Sequence, residues 1–400
     1  MNAGVEPQPN FVVATPGRSP CDPNAQALAR HQLLRFVALG TRRGIAGVPM
    51  DRTHLNPWFG LFTYATARTF SASRAESMRL RLHGAFDHWV KMQLQPGDHI
   101  ISSYGYANAS FRWVREHGGR TFLDGGSSHP DNYWSILEEE HRRWKSPQPP
   151  MPRHHYRRAL EMMPHVDYVL SPSSFVSNSF LTRGFRPEQI LRNVYPLDLS
   201  CFSPAATPRP AGRPLSIIST GMLSLRKGTP YLLEAFRLVL RRFPTARLLL
   251  TSDFHDNVRA LLRENADLPI DWSPSLPHAQ LAERLRRADI FVLPSLEDGF
   301  ARTVTEALAC GLPAVVTPNT GASDLVRPGV NGAIVPICDG AAIAEAILEL
   351  ADAVLTRREP AQCLIDPATL SFAHFEREFL AQLRERNLIP PAAEDPRPRA

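Results

Sequence analysis

Cysteine is scarce in this chain and badly spaced for any task that needs it in groups. The 400 residues hold five, Cys21, Cys201, Cys310, Cys338 and Cys363, with no Cys-x-x-Cys pair among them. That spacing excludes a paired-cysteine zinc or redox motif, and an odd, dispersed set points to reduced thiols and a cytoplasmic location. Long apolar runs are missing too. None reaches the roughly 20 residues that cross a bilayer, and the N-terminus lacks the apolar core of a signal peptide. The formal charge of +6 is accompanied by no aromatic-plus-basic motif, zinc finger or RNA module, so nucleic acid is not an expected partner. Nucleophile elbow, Walker loop and dinucleotide fingerprint are all absent. Ser224-Leu-Arg-Lys227 has the Ser-x-x-Lys spacing of penicillin-binding enzymes, but the partner motifs are missing.

What is present describes a globular chain. A hydrophobic share of 43% with 21% charged residues excludes an intrinsically disordered protein, and the length predicts two domains of roughly 200 residues. The Pro-, Ala- and Gly-rich stretch 201–214 reads as the linker, dividing a first domain (1–204) from a second (205–370). In the first, Phe11–Thr15, His99–Ser103, Arg120–Asp124 and Tyr168–Ser171 read as short strands, and Ala25 to Leu39 as a helix. Alternating strands and helices imply a parallel sheet whose ligands gather beyond the strands' C-terminal ends. Residues 371–389 predict a C-terminal helix, and 390–400 a disordered tail.

The densest information lies in residues 291–313, an apolar strand, a turn at Gly299 and a helix closing at Gly311-Leu312-Pro313. Strand, Gly turn and helix together present backbone N–H groups and a positive helix end to an anion. Asp298 and Glu306 bracket the turn with seven residues between them. Upstream, residues 215–236 read as strand, loop with Gly221, and helix, with Arg226 and Lys227 at the loop's end. Cations at a helix start oppose the helix dipole, which favours an anionic ligand beside them.

Taken together these segments resemble the donor site of retaining glycosyltransferases of family 4. The likeness runs from residue 215 to about 350, and includes the Gly321 and Asn331-Gly332 turns. It implies an α/β architecture of the GT-B type: two Rossmann-like domains facing across a cleft, with the C-terminal helix crossing back to the first. It further implies that Glu306 holds a nucleotide ribose and that Asp298, where the family usually has Glu, meets hydroxyls of the donor sugar. Lys227 and Arg226 would carry the diphosphate. Gly221, Gly299, Phe300, Ala301, Thr303 and Val304 would line the donor site, and Ala301 stands where a second Gly is common. From the first domain, His129, in Gly125-Gly126-Ser127-Ser128-His129, would reach the donor sugar, and Gly17 would let backbone approach the diphosphate. The nucleotide base is expected near Trp272 to Pro274.

The implied activity is transfer of a hexosyl group from a nucleotide-diphosphate sugar to a saccharide or lipid-linked acceptor, with retention of configuration. No metal or other cofactor is expected, since no Asp-x-Asp motif stands in a donor-binding context. A weakened relative serving as a nucleotide-sugar-binding subunit and a nucleotide-sugar epimerase are the rival readings. Residues 68–91 mix cations with Phe70, Met78, Leu82, Phe86 and Trp89, a pattern that admits peripheral contact with the inner face of a membrane.

Overall fold

In the computed structural model the chain is described over residues 10–17, 19–59, 72–207, 209–210, 212–357 and 359–391. Two parallel sheets organise it. The first joins seven strands in the order β3-β2-β1-β4-β5-β6-β7, with β1 at Phe11–Thr15, β2 at Leu34–Leu39, β3 at Thr53–Leu55, β4 at His99–Ser103, β5 at Thr121–Asp124, β6 at Tyr168–Ser171 and β7 at Ile190–Arg192. The second joins six in the order β10-β9-β8-β11-β12-β13. Here β8 is Ser216–Thr220, β9 Arg247–Thr251, β10 Ile270–Ser273, β11 Ile290–Leu293, β12 Ala314–Val316 and β13 Gly332–Ile334. Every strand pair is parallel. In each sheet the strand order reverses beside the first strand, β1 against β4 and β8 against β11, and such switch points are where open sheets bind ligands.

The central strands are apolar on both faces because both faces are covered. In β1, Phe11 and Val13 point into one core and Val12 and Ala14 into the other. In the second sheet Ile217 and Val292 face the helices Thr229–Arg242 and Gly340–Thr356, while Ile218, Phe291 and Leu293 face His278–Arg286 and Arg302–Ala309.

The C-terminal helix, Phe372–Glu385, completes the first domain rather than the second. Its Phe375, Phe379, Leu380 and Leu383 lie in one buried cluster with Phe11, Leu28, Val37 and Ile101. Ser371 caps it, its hydroxyl accepting from His374 N at 3.2 Å. This is the crossing-back that the resemblance implied.

One element differs from expectation. The helix read from Ala25 to Leu39 is a helix Asp22–Arg30 followed by strand β2. The chain turns at Gln32, whose φ is 58°. The run after it is buried on both faces, and periodicity cannot separate such a strand from a buried helix.

The helix Ala72–Lys91 carries the rest of the amphipathic stretch; residues 68–71, including Phe70, lie outside the described residues, as do 392–400 of the expected tail. Phe86 and Val90 are buried and Leu82 and Trp89 pack beside them, so this apolar face is committed to the first domain's core. Met78 is exposed. Among the described residues no helix is long and apolar enough to cross a membrane.

Contacts also join the domains. Leu137, on the first-domain helix Pro130–Arg143, belongs to the second domain's core. On the same helix, Glu140 accepts from Tyr231 Oη at 2.8 Å. The loops after β5 and β11 meet backbone to backbone: a Cβ on Gly299 would lie 2.2 Å from the Gly126 carbonyl oxygen, so only glycine fits there.

The C-terminal helix therefore holds the first domain together. Phe379→Ala empties a fully buried site and should cost about 3–5 kcal/mol, read as a fall in the urea midpoint at unchanged slope.

Candidate functional site

Two loops leave the second sheet at its switch point, 221–228 after β8 and 294–301 after β11, and they are stitched together. Leu296 N donates to Arg226 O at 2.9 Å, and Arg226 Nη1 donates to Glu297 O at 2.9 Å. Gly228 has a φ of 69°, and a Cβ on it would lie 2.0 Å from the Pro294 carbonyl oxygen. Behind them Asn319 Nδ2 donates to Leu296 O at 2.9 Å, and Thr317 Oγ1 to Ser295 O. The result is a rigid floor that fixes the direction of each side chain on it.

On that floor Lys227 and Asp298 form an ion pair through Nζ and Oδ2, each side chain largely covered. The other oxygen of Asp298 accepts from the backbone N–H of Ala301 at 3.1 Å and of Phe300 at 3.4 Å. Burial alone would raise this carboxyl; the Lys227 ammonium and Arg226 guanidinium overcome it and hold Asp298 below the usual carboxylate range. Ala301 takes the left-handed conformation (φ 58°) that a glycine would adopt freely, and it starts the helix Arg302–Ala309.

Glu306, on that helix, is in the opposite condition. It is buried, and Oε2 has no hydrogen-bond partner. Burial pushes its carboxyl up to about 7, with Arg302 working against the shift. An acceptor atom held in this way is ready for hydroxyl donors.

Facing these groups from the first domain are Ser19, Asp22, Gly126 and Tyr195. With Gly221, Lys227, Asp298, Phe300, Ala301, Arg302 and Thr303 they line a pocket of about 600 Å³ between the two sheets. Arg302 stands at the helix N-terminus, over the Tyr195 ring at 5.7 Å. Tyr195 Oη in turn donates to Asp124 Oδ1 at 2.8 Å. Burial pushes the Asp124 carboxyl up to about 6 against hydrogen bonds from Tyr195, Cys21 and Ser103.

Of the residues read from the sequence, Gly221, Lys227, Asp298, Phe300, Ala301 and Thr303 line this pocket, whereas Arg226, Gly299, Glu306, His129, Val304 and Gly17 do not. His129 caps the helix Pro130–Arg143 with its ring: Nδ1 accepts from Asp131 N at 3.2 Å, and the ring meets Phe180 edge-on at 5.3 Å. It is 5% exposed and absent from the pocket lining, and burial pulls its imidazole down to about 4. A His-Pro-Asp sequence is a helix start, and that local demand placed the ring. Val304 is fully buried, and its N–H is taken by Ala301 O at 3.0 Å, which leaves Thr303 at the open end of the helix. Gly17 follows β1 and lines a separate first-domain pocket. Trp272 also lies apart, its indole N–H donating to Ser252 O at 2.9 Å.

Sequence reasoning missed Glu297. It is fully buried, and its Oε2 pairs with Arg226 Nη1 at 3.0 Å. Its Oε1 accepts from Ser127 Oγ at 2.8 Å and Ser128 N at 2.9 Å, both across the cleft. Arg302 was missed as well, although a cation at a helix N-terminus is the same signal that drew attention to Lys227.

The chain is similar to several known proteins. Residues 214–353 match the family model described as Glycosyl transferases group 1. Among curated proteins, a putative colanic acid biosynthesis glycosyltransferase, WcaL of Salmonella typhimurium, is 28% identical over 192 residues, 46% of this chain and 47% of that protein. The D-inositol 3-phosphate glycosyltransferase of an Arthrobacter species is 30% identical over 176 residues, 40% of this chain and 41% of that one. The chain thus spans about half the length of the curated relatives it matches. Solved structures match throughout. The apo lipopolysaccharide outer core galactosyltransferase WaaB superimposes with a TM-score of 0.64 at 15% identity, covering 94% of this chain and 99% of WaaB. Anabaena HepE in complex with UDP and glucose does so at 0.61 and 13%, covering 94% and 99%. At such identities the likeness is one of fold, and the fold is GT-B.

The charges at the site have measurable consequences. The Glu306 carboxyl ionises near 4.5 when unfolded and near 7 when folded. Between those values the folded chain holds a proton that the unfolded chain has lost. Stability of the ligand-free protein should fall as pH rises through this window, by about 3 kcal/mol in all, and Glu306→Gln should flatten the profile in chemical denaturation. Glu297→Ala removes the carboxylate shared by half-buried Arg226, Ser127 and Ser128 and should cost about 1–3 kcal/mol by the same measurement.

Proposed function

We propose that this chain, whose residues 214–353 belong to the glycosyl transferases group 1, moves a hexosyl group from a nucleotide-diphosphate sugar to a saccharide or lipid-linked acceptor. The transfer retains anomeric configuration and needs no metal. The observation that carries the reading is the pairing of Lys227 with Asp298 beside the open N-terminus of the helix Arg302–Ala309, in a pocket between the domains. Such an arrangement matches a donor that brings both an anion and hydroxyl groups.

The roles follow from charge. When the bond between the anomeric carbon and the diphosphate breaks, negative charge grows on the leaving oxygen. Lys227 and the helix N–H groups at Thr303 meet that charge, and Arg226 adds its field from behind; fixed positive groups of this kind do the work of a metal ion. Asp298 exchanges Lys227 for a sugar hydroxyl as the diphosphate claims the ammonium. Glu306, with one oxygen unpartnered, accepts from the nucleotide ribose. The acceptor hydroxyl attacks from the leaving-group side, its oxygen bonding to the anomeric carbon while its proton passes to the departing diphosphate. No side chain is required as base. That HepE holds UDP and glucose in the same fold, and that WaaB is named a galactosyltransferase, supports a hexosyl donor here.

A thermal-shift and calorimetric panel of UDP, GDP, ADP and their sugar conjugates tests the donor site. Stabilisation by one nucleotide family, lost in Glu306→Ala and unchanged by EDTA, is the expected outcome. Each charge-assisted hydrogen bond contributes on the order of 1.5–3 kcal/mol, so Asp298→Asn should lower kcat/KM roughly ten- to hundred-fold. Binding of none of the nucleotides would sink the donor assignment. Binding with no transfer to any acceptor would favour a nucleotide-sugar-binding subunit, and donor turnover without acceptor an epimerase.

A further inference from the structure

The first domain carries a second concavity that the donor chemistry leaves unused. It has a volume of about 660 Å³, and its walls include Gly17, Asp22, Gln26, Thr41, Arg42 and Arg43. It opens beyond the C-terminal ends of β1 and β2, on the side of the sheet where ligands collect.

Its charge is unbalanced. Arg42 and Arg43 are exposed, and among the described residues neither guanidinium has an ion pair or a hydrogen bond. Their neighbours along the fold differ: Arg35 is bound to Asp98 and to Gln93 O, and Arg52 donates to Leu34 O at 2.7 Å. The backbone that carries the two free cations is nonetheless anchored. Thr41 Oγ1 donates to Arg43 O at 2.9 Å, and Gln26 Nε2 ties Ala46 O to the helix Asp22–Arg30 at 2.7 Å. A fixed loop thus presents two forked cations to a pocket holding one carboxylate, Asp22. Asp22 also lines the donor pocket, so the two concavities share a wall.

We infer that this pocket takes the acceptor, and that the acceptor carries an anionic group, a phosphate or a carboxylate, bound by Arg42 and Arg43. The inference rests on the glycosyl-transfer reading for the identity of the ligand as acceptor, and on the pocket alone for its charge. Guanidinium forks match both anions in bidentate geometry. With the anion held there, the shared wall lets a hydroxyl of the same molecule enter the donor pocket.

The test uses the full chain with UDP present and measures calorimetric binding of glucose, glucose 6-phosphate, glucuronate and inorganic phosphate. The charged sugars should bind at least about ten-fold more tightly than glucose, more weakly as salt rises, and the preference should vanish in the double variant R42A/R43A. The stronger of the two charged sugars identifies the group as phosphate or carboxylate. UDP affinity and melting temperature of that variant report that donor site and fold persist. Equal binding of glucose and the charged sugars, no binding of any anionic probe, or an unaltered preference in the double variant would overturn the inference. Should UDP itself fail to bind the wild-type chain, the donor reading falls, while loss of phosphate binding in R42A/R43A still reports on the pocket's charge.

Discussion

Glu297 is the interaction on which the rest of the cleft depends. A fully buried carboxylate is tolerable only when its charge and lone pairs are met, and its partners come from both halves of the molecule. Arg226 supplies the counter-charge from the loop after β8, while Ser127 and Ser128 supply two donors from the loop after β5. Separating the domains would strip one oxygen of both donors, so the carboxylate favours the closed arrangement. The glycine contact at Gly299 and Gly126 follows from the same closeness. Closure therefore stands on a charge network and on backbone packing at once.

Around this latch the binding groups are in unequal states. Lys227 and Asp298 satisfy one another, and Asp298 is further held by the turn's N–H groups. Glu306 is unsatisfied and raised toward neutrality. Under the proposed function a donor changes both conditions: its diphosphate separates the ion pair and its ribose supplies the missing donors to Glu306. Breaking a satisfied pair costs free energy, and relieving an orphaned carboxylate returns it. Binding then depends on ligands that do both, which a free phosphate or a neutral sugar alone does not.

The second domain's loops could be read from the sequence because their signals are local. Strand, glycine turn and helix follow one another within residues 291–313, and Lys227 announces itself by standing at the wrong end of a helix for a cation. Glu297 left no such trace. Its meaning lies in a contact 170 residues away in sequence, and a Glu before an Asp reads as ordinary loop polarity. His129 shows the converse: its ring serves locally as a helix cap, a role the resemblance did not imply. The first-domain strand β2 was hidden for a third reason, since a strand buried on both faces has lost the alternation that identifies it.

The chain's departures from the family pattern become intelligible on the same terms. Asp298 is one methylene shorter than the usual Glu, and the short arm lets one oxygen cap the turn while the other reaches Lys227. Ala301 replaces a glycine yet keeps the left-handed conformation, at a cost of about 1–2 kcal/mol for an L-residue. Asp298 accepts the N–H of Ala301 itself, so the shorter acid stabilises the strained turn that the alanine creates. Arg302 lines the pocket, and Arg226 stands behind it, paired with Glu297. The two departures, Asp298 and Ala301, are thus joined by a direct hydrogen bond within one turn.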